Sequence, residues 1–122
     1  MTISLFLLAA GLMGAAGVAL AAAAAHAAPG AGLDSAAYML LFHAVAIVGG
    51  VGLLDRGLGW RWPMLLALIG WVVGTALFSG DVSLRVLTGN RLFPMAAPTG
   101  GSLLIAAWAL LAIAALGGVF KR

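Results

Sequence analysis

Cysteine is absent from the chain, and with it go disulfides, thiolate chemistry, iron–sulfur clusters and cysteine-type zinc sites. Glutamate is absent too, and three aspartates are the whole acidic complement. Charged residues make up only 7% of the 122 residues. Six basic side chains give a formal charge of +3, but they are scattered singly or in pairs and form no basic patch, so no nucleic-acid partner is expected. Only two histidines occur, His26 and His43, with no third ligand at metal spacing, and no metal or cofactor is expected. The serines have no positioned base and acid around them, and the glycine-rich dipeptides lack the Lys-Ser/Thr ending of a phosphate loop. The chain is therefore expected not to be an enzyme.

What is present is apolar. Hydrophobic residues are 65% of the chain and its mean hydropathy is +1.21, too little polar surface to solvate a water-soluble domain. Four runs, about 3–25, 35–54, 63–84 and 101–120, lie between the charges and the Pro/Gly clusters. Each has about the 20 residues a helix needs to cross the hydrocarbon core. The alternation of a membrane β-barrel is missing, and helices satisfy every backbone group within one segment. The expected fold is all-α, an integral membrane four-helix bundle forming a single domain over 1–122. The first run has no basic residue ahead of it and exceeds the apolar stretch of a secretory signal, so it is expected to be a retained helix.

Four crossings place the N-terminus, the 55–62 loop and the C-terminus on one side. That side carries Arg56, Arg61, Lys121 and Arg122, against Arg85 and Arg91 on the other. The positive-inside tendency puts both termini in the cytoplasm. Trp60 and Trp62 flank Arg61 as an interfacial anchor, and Pro63 fits a first helical turn. On the other side, Asp34 or Ser35 is expected to cap the second helix, after the turn signals Pro29, Gly30 and Gly32. Thr88-Gly89-Asn90 reads as a stop, and the apolar 92–98 segment as a loop on the membrane surface or folded back over the bundle. Small residues are dense on the first helix, and Gly70 and Gly74 form a GxxxG pair on the third, spacing that ordinary bundle packing accounts for.

Polar groups inside a bilayer are expensive, so the few present are the candidate site. Counting helical rise places His43 about 13 Å from the start of its helix, Thr75 about 12 Å from the same side and Trp108 about 10 Å down the last helix. The three share a layer. A neutral His43 is expected to bond Thr75, Trp108 or a backbone carbonyl, as a register-fixing residue rather than a proton relay. Asp81 and Arg85, four apart near the external end of the third helix, are expected to form an ion pair.

Phe78-Ser79-Gly80, preceded by Gly74 and followed by Leu84, Leu87-Thr88-Gly89 and Pro98-Thr99-Gly100-Gly101, resembles the domain-of-unknown-function 423 family of YgdD-like small membrane proteins. Ala25-His26-Ala27 and Phe42-His43-Ala44 extend the match over almost the whole chain. Asp81 stands where the family usually has Ser, Ala97 where it has Thr, and apolar Met39, Leu40 and Leu41 precede His43. The resemblance implies a four-helix inner-membrane protein and supplies no mechanism. Scarce chemistry and plentiful packing faces point to a structural, accessory or assembly role among membrane lipids, with a membrane-protein partner or as a homo-oligomer. The alternative is a small oligomeric transporter or channel with His43 and Thr75 lining the path.

Overall fold

The computed structural model describes residues 1–121. It is a four-helix bundle: α1 (Thr2–His26), α2 (Leu33–Asp55), α3 (Arg61–Thr88) and α4 (Ala96–Phe120). All four are long and apolar enough to cross a membrane, and the chain is a multi-pass membrane protein. The helices pack in chain order, α1 on α2, α2 on α3 and α3 on α4, with a thin contact between α1 and α3. The outer faces of α1 and α4, with Leu8, Leu12 and Val18 on one and Ile105, Val119 and Phe120 on the other, are exposed. In a bilayer lipid solvates such faces without penalty.

Helix limits depart from the sequence expectation where proline and glycine were read as stops. α4 begins at Ala96, not Gly101, and takes Pro98 into its first turn, where an N–H has no intrahelical partner and its loss is harmless. α3 begins at Arg61 and holds Pro63 in the same way. Neither Asp34 nor Ser35 caps α2. The chain enters that helix through Gly32 at φ 87, Asp34 lies inside the first turn, and Ser35 Oγ donates back to the Gly32 carbonyl at 2.8 Å. The Thr88-Gly89-Asn90 stop is present, with Gly89 left-handed at φ 76 and its N–H on the Arg85 carbonyl.

The apolar core gathers toward the side holding the termini. Ile47, Val51 and Leu54 of α2, Met64, Leu68 and Trp71 of α3, and Leu104, Ala107 and Ala114 of α4 form one cluster, with Ala10 of α1 against it. On that side the loop before α3 is tied to α4, because Trp60 N–H donates to the Ala114 carbonyl at 2.8 Å and the Trp60 ring stacks on Phe120. Gly117 makes this possible: a Cβ there would lie 2.6 Å from the Trp60 nitrogen.

Between α3 and α4 the backbones nearly touch. A Cβ on Gly100 would lie 2.6 Å from both the Gly74 oxygen and the Phe78 nitrogen, and one on Gly70 would lie 2.8 Å from the Ala107 Cβ. The GxxxG pair is thus consumed inside the bundle.

Candidate functional site: the polar layer inside the bundle

His43 occupies the eleventh position of α2, about 15 Å from its start by helical rise. The residue is 5% exposed. Nδ1 lies 2.8 Å from the Met39 carbonyl, one turn back, and Nε2 lies 3.2 Å from the indole nitrogen of Trp108. An indole N–H only donates, so Nε2 must accept, and Nδ1 must carry the proton that goes to Met39. The two bonds together specify one neutral tautomer. Neither ring nitrogen is left for another partner.

Trp108 comes from α4, whose backbone packs along α3 rather than α2. Its indole reaches past α3 to His43, and its ring meets that of Trp71 at a centroid distance of 4.7 Å, tilted by 54°. His43, Trp71 and Trp108 thereby link three helices in one layer. Of the carbonyl, Trp108 and Thr75 partners expected for His43, the first two are present. Thr75 lies in α3, fully buried, and its hydroxyl has no hydrogen-bond partner.

Trp71 was absent from the sequence expectation because a tryptophan in an apolar run reads as packing. The signal was available: Trp71, Thr75, Ser79 and Ser83 recur every fourth residue and so form one row on α3. Ser79 Oγ donates to the Ala36 carbonyl of α2 at 2.9 Å. The Trp71 indole nitrogen, the Thr75 hydroxyl and the Ser83 hydroxyl are buried without partners.

At the end of the bundle away from the termini Asp81 and Arg85 form the ion pair, Oδ2 to Nε at 3.3 Å, with Asp81 nearly covered and Arg85 40% exposed. Asp81 does a second thing that its spacing did not reveal. Oδ1 accepts the backbone N–H of Leu92 at 3.0 Å, so the short connection before α4 is folded back onto α3. The Leu92 side chain lies over Gly80. The segment ends at Met95, held at φ 67, a left-handed conformation that costs about 1–2 kcal/mol outside glycine. Phe78, Asp81, Arg85, Arg91, Met95 and Pro98 face a cavity of about 390 Å³ there.

His26 is exposed at the end of α1, away from this layer. Among the described residues no three His, Cys, Asp or Glu side chains converge as metal ligands.

No curated protein and no solved structure matches the chain. A family model described as "Protein of unknown function (DUF423)" matches residues 13–101, from the middle of α1 into the first turns of α4. The match takes in His43, Trp71, Thr75 and Asp81, and the chain belongs to this family.

Proposed function

We propose that the protein is a structural or accessory component of the cell inner membrane, with both termini cytoplasmic, acting through a membrane-protein partner or as a homo-oligomer and not as an enzyme. The observation that carries this reading is His43. A histidine that relays protons or contacts a solute needs a free ring nitrogen facing water, whereas both nitrogens here are engaged, one by its own helix and one by Trp108. The polar layer then serves to fix the register of α2, α3 and α4. Asp81, the one buried acid, is likewise spent on Arg85 and the Leu92 amide. The cytoplasmic placement rests on the basic side chains Arg56, Arg61, Lys121 and Arg122 against Arg85 and Arg91.

Purification in a gentle detergent or nanodisc, with mass spectrometry of the proteins that accompany the chain in fixed ratio, tests the reading. A stoichiometric complex with another membrane protein, or a homo-oligomer that carries no flux, supports it. A monomer without partners contradicts it, and a homo-oligomer whose proteoliposomes carry a solute flux abolished by His43→Ala contradicts it in favour of the transporter alternative.

A further inference from the structure

Every buried polar group in a bilayer interior needs a partner, because no bulk water is there to supply one. Some serine and threonine hydroxyls of these helices find theirs in carbonyls: Ser79 bonds Ala36 of α2 in the interior, and the exposed Thr88 and Ser102 bond the carbonyls one turn back, Leu84 and Pro98. Thr75 departs from that pattern. It has the same local choice of a carbonyl one turn back and does not take it, although it is fully buried. One turn away in the same row the Trp71 indole nitrogen, on a side chain only 1% exposed, is also unbonded. Two orphaned groups thus stand on adjacent turns of one helix face. One is a pure donor and the other both donates and accepts, which is the complement a water molecule requires.

We propose that Trp71 and Thr75 form an internal hydration site beside the His43–Trp108 pair, occupied by water that accepts from the Trp71 indole and exchanges a hydrogen bond with the Thr75 hydroxyl. Ser83, two turns beyond Thr75 in the same row, carries the third unpartnered hydroxyl and stands nearer the external surface. The site is independent of whether the bundle serves a partner, since a purely structural bundle also has to satisfy these groups.

The test uses the full chain in nanodiscs with ¹⁵N-labelled tryptophan. The four indole signals are assigned by single Trp→Phe variants, and by elimination if Trp71→Phe does not fold. After transfer to D₂O, a hydrated Trp71 indole exchanges at least about ten-fold faster than the backbone amides of the surrounding α3 turns. Thr75→Val, which keeps the shape and removes the hydroxyl, strands the water against fewer partners; it slows that exchange and lowers the melting temperature, while Thr75→Ser restores both. A dry site gives opposite signs, because removing an orphaned hydroxyl from an apolar setting relieves a penalty. Trp71 exchange as slow as its neighbours, or a melting temperature unchanged or raised in Thr75→Val, overturns the proposal.

Discussion

The indole N–H of Trp108 donates to Nε2 of His43 at 3.2 Å, joining α4 to α2 although the backbones of those helices do not pack on each other. The bond closes a polar layer in which the third helix contributes Trp71, stacked at a tilt on Trp108. Hydrogen bonds between membrane helices are worth about 0.6 kcal/mol on average and about 1.7 kcal/mol at most. Losing the donor alone leaves a nearly buried acceptor unpaired, which adds to that figure. Trp108→Phe is therefore expected to lower stability by about 1–2 kcal/mol in detergent unfolding. Trp62→Phe, at an exposed ring near the start of α3, is the control and leaves stability unchanged.

Gly100 and Gly101 are adjacent in α4 and make a sharp comparison. A methyl group on Gly100 meets the backbone of Gly74 and Phe78, which cannot move aside without parting the helices, whereas one on Gly101 meets nothing within 4 Å. Gly100→Ala is expected to destabilise by about 1–3 kcal/mol. Gly101→Ala is expected to stabilise by up to about 1 kcal/mol through helix propensity. Thermal melting of the two variants in one detergent reads both signs.

Asp81 separates an ion pair from a loop anchor. Arg85 is 40% exposed, so Arg85→Ala is expected to cost less than about 1 kcal/mol. Asp81→Ala also frees the Leu92 amide and the strained entry into α4, and is expected to raise the rate of tryptic cleavage after Arg91 by about ten-fold. Asp81→Asn keeps an oxygen for Leu92 and should stay close to the wild-type rate.

At the opposite end, Gly117→Ala drives a methyl group into the Trp60 backbone and side chain. The expected consequence is loss of the Trp60–Ala114 bond and of the ring stacking on Phe120, seen as a change in fluorescence of Trp60 in a variant lacking the other tryptophans. Gly118→Ala, whose nearest neighbour would be 3.9 Å away, leaves the emission as it is.

The four crossings and the His43–Trp108 layer were legible because both depend on helical rise and on where charges fall. Helix starts were less so. Pro98 reads as a break, yet as the third residue of α4 it gives up an N–H that had no use, so the helix began five residues before the expected Gly101. That shift hid the partner of the GxxxG pair, since Gly100 fell in a segment taken as loop. Cap signals misled at Asp34 and Ser35, where a left-handed Gly32 starts the helix without a side chain. The second bond of Asp81 was out of reach of spacing rules because its partner is a backbone amide 11 residues on. Trp71 escaped notice because its bulk counts as apolar while its one donor is polar, and only the row with Thr75, Ser79 and Ser83 marks it.

The proposed role makes His43 a structural pin. Reconstituting wild type and His43→Ala into liposomes, and measuring melting temperature and solute and ion flux on the same samples, tests this most directly. The prediction is a lowered melting temperature with flux indistinguishable between the two. A flux present in wild type and lost in His43→Ala at unchanged melting temperature would contradict it.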